Sequence, residues 1–200
     1  SSDLTYQSHR IHQSNSLIMA NNIKIVSLNC RGLAEKSKRQ EIMKIWRKKK
    51  YSVICLQDIH ISDTDKDRFR NEWGLECLIA PFKSNARGVA ILFNNTTEIK
   101  IHKSINDTGG NYIISDVTID GIKMTLTNVY GPNKDEPEFY NKLFKLSDEI
   151  GNSSMILCGD WNMILDSKLD TDNYKQINNP KARNAVLEQI ECLDLRSEER

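Results

Sequence analysis

Four short apolar runs in this chain stop on polar side chains, and that pattern constrains the fold more than any other feature. VSL runs into Asn29, and VICLQ into Asp58. TLTNV supplies Asn128 and leads through Tyr130 into Gly131-Pro132-Asn133. MILCG leads into Asp160 and Asn162. Runs of four to eight apolar residues suit strands buried on both faces. In layered α/β folds, ligands bind beyond the ends of such strands. One Asn or Asp after a strand is ordinarily a turn residue, and Asp58 alone would serve as a helix cap. Tyr130 alone would be a core-edge aromatic with a satisfied hydroxyl. Four strands that each end in a carboxylate, carboxamide or phenol point instead to one convergent site.

The segments between these runs alternate strand and helix signals. Strands are expected at Ile23–Asn29, Val53–Gln57, Glu76–Ala80, Gly88–Phe93, Ile99–Ile105, Tyr112–Ile119, Lys123–Val129 and Met155–Cys158. Asp120-Gly121 marks a tight hairpin. Helices are expected at Ser37–Lys50, where Ile42, Ile45 and Trp46 share a face, and at Thr64–Trp73, capped by Asp63 or Thr64. Two more open with proline, at Pro137–Ile150 and from Pro180 through Leu193. Residues 160–179 read as loop. Sheets covered by helices follow from this order.

The 200 residues suit one domain, from about Asn21 to the end, with residues 1–20 expected to be a disordered polar tail. Met19 directly precedes the first ordered-looking segment. The native start is therefore expected there, with a tag or upstream read-through before it. With 28 Lys and Arg against 27 Asp and Glu, bulk charge is no basis for gripping nucleic acid. No apolar run is long enough to span a membrane. Cys30, Cys55, Cys77, Cys158 and Cys192 are odd in number and contain no CxxC pair, which argues against a disulfide framework or zinc ribbon. A reduced, intracellular protein is expected.

Hard oxygen ligands without cysteine pairs favour Mg²⁺ or Mn²⁺. One carboxylate can hold a metal while another activates or orients water, and carboxamides and a phenol can position phosphate oxygens. That set suits metal-assisted phosphoester hydrolysis.

Five motifs in order carry a family resemblance: Ser27-Leu28-Asn29 with Arg31-Gly32-Leu33; Leu56-Gln57-Asp58-Ile59-His60; Gly88-Val89-Ala90-Ile91-Leu92; Asn128-Val129-Tyr130-Gly131-Pro132-Asn133; and Gly159-Asp160-Trp161-Asn162. From about Ile23 to Leu195 the chain resembles the endonuclease/exonuclease/phosphatase superfamily. Within it, the chain looks like the apurinic-type endonuclease domain of LINE-type (non-LTR) retrotransposons. The resemblance implies a four-layer α/β sandwich of two mixed sheets flanked by helices. It implies a Mg²⁺-dependent (or Mn²⁺-dependent) endonuclease that nicks DNA in the nucleus, leaving a 3′-hydroxyl to prime a downstream reverse transcriptase domain of the same polyprotein. A monomer is expected.

By the same resemblance, Asn29 supports metal and phosphate, and Asp58 falls where the family usually carries a metal-binding Glu. Tyr130 contacts the scissile phosphate, Asp160 orients or deprotonates the attacking water, and Asn162 holds the phosphate. Asn133 and Arg87 are expected near DNA, although residues 85–87 equally suit an exposed turn. Lys48 and Lys49, in the basic stretch from Lys36 to Lys50, suit either phosphate contact or a solvated helix face. Trp161 is expected to pack away from the site.

The family's late Asp and its Ser-Asp-His motif do not occur here. His9, His12, His60 and His102 match none of those places, and Leu169-Asp170-Thr171 stands where relatives often have Leu-Asp-Arg. The domain is therefore expected to lack its final strands, to be less stable than a full domain and to have little or no nicking activity alone. Two other readings stay open: a non-catalytic or nucleic-acid-binding remnant of a decayed element, and a phosphomonoesterase or abasic-site nuclease of the same superfamily.

Overall fold

Apolar strands with both faces covered need layers above and below them, and the chain builds four. The computed structural model describes residues 9–12, 17–20, 23–151, 154–165 and 179–197. A five-stranded sheet is formed by β2 (Leu17–Ala20), β3 (Ile23–Asn29), β4 (Val53–Gln57), β5 (Cys77–Ala80) and β6 (Val89–Phe93), in the order β2-β3-β4-β6-β5. A six-stranded sheet is formed by β1 (His9–His12), β7 (Ile99–Asn106), β8 (Tyr112–Ile119), β9 (Ile122–Tyr130), β10 (Ser154–Asp160) and β11 (Leu195–Ser197), in the order β11-β1-β10-β9-β8-β7. The helices are α1 (Lys36–Lys48), α2 (Lys66–Trp73), α3 (Pro137–Ile150) and α4 (Pro180–Cys192). None of the described helices is long and apolar enough to cross a membrane.

Three cores separate the four layers. Met43 and Trp46 of α1 and Phe69 and Trp73 of α2 pack on Ile54, Leu56, Ala90 and Leu92 of the five-stranded sheet. The opposite faces of the same strands (Ile25, Val53, Cys55, Ile91) meet Ile113, Val117, Leu126 and Cys158 of the six-stranded sheet. The outer face of that sheet, with Ile114, Val129 and Leu157, is covered by Tyr140 and Phe144 of α3 and Ala182 and Val186 of α4. This explains why all five residues of β4 and of β6 are buried. The expected α/β sandwich is present. At the sheet edge, β7 exposes Lys100, His102 and Lys103 around an irregular register between Ile101 and Lys103, features that discourage further strand pairing.

Asp120-Gly121 forms the expected hairpin turn, with both residues at positive φ (48° and 79°). Three expectations are corrected. Residues 1–20 are not wholly a tail: β1 pairs in parallel with β10 and β11, and β2 pairs antiparallel with β3. Averaging polarity over that segment concealed the apolar run Leu17-Ile18-Met19-Ala20, and a strand needs only backbone partners to join an open edge. Neither Asp63 nor Thr64 caps α2. Asp63–Asp65 form a 3₁₀ turn instead, in which the Ser62 hydroxyl donates to Asp65 Oδ2 at 2.7 Å. After α4 the chain adds a strand, β11, that the residue pattern did not signal. Residues 1–8, Leu169-Asp170-Thr171 and most of the expected 160–179 loop lie outside the described residues.

Candidate active site at the mouth between the sheets

Period-2 alternation along the strands assembles the site. Asn29 shares the inward face of β3 with Ile25 and Ser27. Tyr130 shares that of β9 with Leu126 and Asn128, and Asp160 that of β10 with Ile156 and Cys158. The parallel registers align these ends, Asn29 opposite Gln57 and Asp160 opposite Tyr130. The three side chains therefore reach the mouth of the inter-sheet space from two different sheets. Asn29 Nδ2 donates to Asp160 Oδ2 across that mouth at 2.6 Å. Asn29 Oδ1 accepts from the Arg31 backbone N–H at 3.0 Å, which fixes the amide orientation.

Below the mouth, Asn128 ties the sheets together. Its Oδ1 accepts from Gln57 Nε2 at 2.6 Å, and its Nδ2 donates to the carbonyls of Leu56 (3.0 Å) and Ala90 (2.9 Å). Asn128 is fully buried and its amide is committed to these partners. It is part of the scaffold under the site rather than a ligand group.

The rim on the five-stranded side is built from backbone. Gly32 and Leu33 donate to the carbonyls of Asp58 and Ile59, both at 2.8 Å. Ile59 and His60 donate to those of Gly88 (3.0 Å) and Arg87 (2.9 Å). Three loops are thereby locked side by side, with Arg31, Asp58, His60 and Arg87 all at positive φ near 50°. Such conformations are sparsely populated by non-glycine residues and cluster at functional sites. Asp58 Oδ1 accepts from the Arg87 backbone N–H at 3.2 Å and lies 2.9 Å from His60 Nε2.

The rim on the six-stranded side is built from side chains and close packing. Asp160 Oδ1 accepts from the Asn162 backbone N–H at 3.0 Å, and Asn162 Nδ2 donates to the Gly131 carbonyl at 2.6 Å. Trp161 is buried as expected, stacked on Tyr140 and Phe144, with the Tyr140 hydroxyl donating to its carbonyl at 2.5 Å. Tyr130 is half-buried. Burial and the Asp58 and Asp160 carboxylates push its phenol above the usual tyrosine range, against the pull of a hydrogen bond to Asn162 and of Arg87. At neutral pH it is a neutral hydrogen-bond donor.

A cleft of about 500 Å³ opens over this rim, lined by Asp58, His60, Arg87, Asn111, Tyr130 and Asn133 among others. Arg87 and Asn133 are exposed on its walls, and the Arg87 guanidinium lies 5.0 Å from the Phe82 ring centroid. Lys48 and Lys49 are not brought here. Lys48 closes α1 and Lys49 is its C-cap, and from there the chain leads to Ser52, hydrogen-bonded to Lys24 at the start of β3. The helix is about 20 Å long, so both lysines sit at the opposite end of the sandwich. The basic stretch is not one solvated face either. Lys38 donates to the Gly32 carbonyl at 2.7 Å, and Arg39 is buried in a bidentate pair with Glu72.

Two site residues escaped the sequence reading. His60 lines the cleft beside Asp58. Asn111 accepts from Arg87 Nη1 (3.3 Å) and donates to the Tyr130 carbonyl (2.9 Å), linking both walls. The His60 signal, two residues after Asp58, was present in LQDIH. Asn111 carried no motif, because only the β8–β9 register brings it to the rim.

The sequence matches the Endonuclease/Exonuclease/phosphatase family over residues 26–176. The chain belongs to that family. Solved structures of similar fold include an AP endonuclease from Archaeoglobus fulgidus, with TM-score 0.64 and 16% identity over 85% of this chain and 70% of that one. An AP endonuclease, LMAP, from Leishmania major gives TM-score 0.61 and 14% identity over 82% of this chain and 64% of that one. A humanised D. rerio TDP2 gives TM-score 0.52 and 16% identity over 71% of this chain and 63% of that one. This chain thus spans under two thirds of the length of the last two.

The Endonuclease/Exonuclease/phosphatase family is generally divalent-metal dependent, and the donors at the rim fit a hard cation. Asp58 Oδ2 has no hydrogen-bond partner among the described residues, and Asn29 adds a carboxamide oxygen. No group of three or more His, Cys, Asp or Glu suited to a metal ion occurs among the described residues. One or two protein oxygens, completed by water and phosphate, is how Mg²⁺ is commonly held.

Proposed function

We propose that this chain is the DNA-nicking endonuclease part of a non-LTR retrotransposon polyprotein. In this reading it hydrolyses a phosphodiester with Mg²⁺ or Mn²⁺ and leaves a 3′-hydroxyl for a downstream reverse transcriptase domain, acting as a nuclear monomer. The observation that carries this reading is the meeting of Asn29 and Asp160 from two sheets at one mouth, beside an open cleft lined by Asp58 and Tyr130.

Asp58 and Asn29 then hold the metal, which supplies positive charge against the phosphate oxygens. Asp160, fixed through Asn29 and the Asn162 backbone, orients water and takes its proton as the oxygen bonds to phosphorus; the P–O3′ bond breaks and the 3′-oxygen takes a proton from solvent. The neutral Tyr130 phenol and the Asn162 amide donate to phosphate oxygens, stabilising charge as it develops. Arg87 and Asn133 contact flanking DNA backbone, which positions the strand without reading sequence.

The test is duplex-DNA binding with Mg²⁺ or with EDTA, paired with nicking of supercoiled plasmid. Metal-dependent binding, weakened by Asp58→Ala, is expected. Because the sequence holds no Ser-Asp-His motif, nicking is expected to be slow, and it should vanish in Asp160→Ala. DNA binding that is identical with and without metal would overturn the reading. Strong preference for an abasic-site duplex would reassign the chain to a repair-type nuclease.

A further inference from the structure

His60, paired with Asp58, has no part in the reaction as written above, yet the geometry of the pair is closely controlled. Asp58 places one carboxylate oxygen, Oδ1, against two groups: His60 Nε2 at 2.9 Å and the Arg87 backbone N–H at 3.2 Å. Its other oxygen faces no described donor. A carboxylate held at one oxygen by two groups cannot swing freely about its side-chain bonds, so the second oxygen keeps a fixed direction. That control matters because aspartate is one methylene shorter than the glutamate of the family pattern, and Mg²⁺ tolerates poor ligand geometry badly.

His60 is itself held in place. Its backbone sits at φ 55° and donates to the Arg87 carbonyl at 2.9 Å, while its neighbour Ile59 donates to Gly88 at 3.0 Å. Its ring rests on Gly32, where a Cβ would come within 2.8 Å of His60 Nδ1. Gly32 has φ 89°, so both its conformation and its missing side chain make room for the ring. With Nδ1 against Gly32 and Nε2 facing a carboxylate, the ring donates from Nε2.

We infer that His60 is a positioning residue that, with the Arg87 backbone, fixes the Asp58 carboxylate so that its second oxygen is presented to a divalent cation. The inference rests on the proposed role of Asp58 as a metal ligand. Groups behind a ligand typically change metal affinity by about 10- to 100-fold when removed.

Mn²⁺ binding to the full chain, followed by the electron paramagnetic resonance signal of free Mn²⁺, tests this without turnover. His60→Ala is expected to weaken binding by about 10-fold or more. His60→Gln, whose terminal amide can occupy the Nε2 position, should bind close to wild type. His60→Asn tolerates positive φ but falls short of Asp58, and should bind as weakly as His60→Ala. If His60→Ala does not fold, the Gln and Asn variants decide. Wild-type affinity in folded His60→Ala or His60→Asn, or a His60→Gln variant no better than these, would overturn the inference. Asp58→Asn separates the two ideas. Wild-type Mn²⁺ affinity in Asp58→Asn removes the metal-ligand reading itself, whereas loss there with no effect at His60 removes only the positioning role.

Discussion

The two sides of the rim hold their site residues by different means. On the five-stranded side, Asp58, His60 and Arg87 sit on loops locked by backbone hydrogen bonds in left-handed conformations. The loop behind Asn29 is anchored from below, where buried Arg39 donates to the carbonyls of Leu33 (2.8 Å) and Ala34 (2.9 Å). On the six-stranded side, Asp160, Asn162 and Tyr130 are placed by the close approach of β9 and β10 and by the aromatic stack of Tyr140, Phe144 and Trp161. Charge and backbone fix one side, while packing fixes the other. The first should respond to pH and salt, the second to volume.

The largest effect is expected at Gly159, on the packed side. Its φ is 148°, and a Cβ there would stand 2.0 Å from the Val129 carbonyl oxygen. The two strands cannot separate without breaking their ladder, so Gly159→Ala should cost about 4 kcal/mol or more. Urea unfolding checks this, and a variant within about 1 kcal/mol of wild type would break the packing account.

Next is Glu72, which supports the other side. Arg39 binds it bidentately at 2.5 and 2.9 Å, and that guanidinium holds the carboxyl below the usual carboxylate range. Removing the partner of a buried charge typically costs about 3–5 kcal/mol. Glu72 keeps some exposure to water, so Glu72→Ala is expected near the lower figure, about 3 kcal/mol. A carboxyl lowered in the folded state stabilises above its unfolded pKa, and that contribution fades as pH falls through the folded value. The gap between wild type and Glu72→Ala should therefore be wide at neutral pH and narrow in acid. A pH-independent gap would sink the electrostatic part of the contrast.

Asn128 joins the two sides. Asn128→Leu takes a donor from the Leu56 and Ala90 carbonyls, while Gln57 Nε2 keeps Ser27 Oγ (3.1 Å) and the Cys55 carbonyl (3.2 Å) as acceptors. A drop of about 2 kcal/mol is expected, at about 1–3 kcal/mol for each group that stays unsatisfied and with some re-pairing. Thermal unfolding measures this. An unchanged melting temperature would show that the sheets dock by apolar packing alone.

The smallest effect is expected for Lys48→Glu with Lys49→Glu, at the far end of α1. Stability should stay within about 0.5 kcal/mol. The salt dependence of DNA binding should keep its slope, because that slope falls by roughly one for every phosphate a protein stops neutralising. A lower slope would place DNA along the helix rather than over the cleft.

Much of this was legible in the residues. The strands Ile23–Asn29, Val53–Gln57 and Tyr112–Ile119 have the limits their residues imply, because apolar runs bounded by polar residues state both length and burial. Asn29, Tyr130 and Asp160 could be grouped because each ends such a run. Asn128 could not be told apart from them by pattern: it shares a face with Tyr130 but lies one step deeper, where the second sheet covers it. Lys48 was equally opaque, since a helix face says nothing about which end of the molecule it occupies.

The sequence by itself determined the central strands, the helices and which polar residues end them, though not β1, β2 or β11, because alternation and helical spacing are local properties of the chain. It also carried the order of motifs that marks the family. Only the tertiary structure decided which of those residues meet. Asn29 and Asp160 are 131 positions apart and bond at 2.6 Å because two parallel registers in two sheets end at the same mouth. His60 gained its place in the same way, from Gly32 beneath it and Asp58 beside it, neighbours that meet when separate loops are locked together.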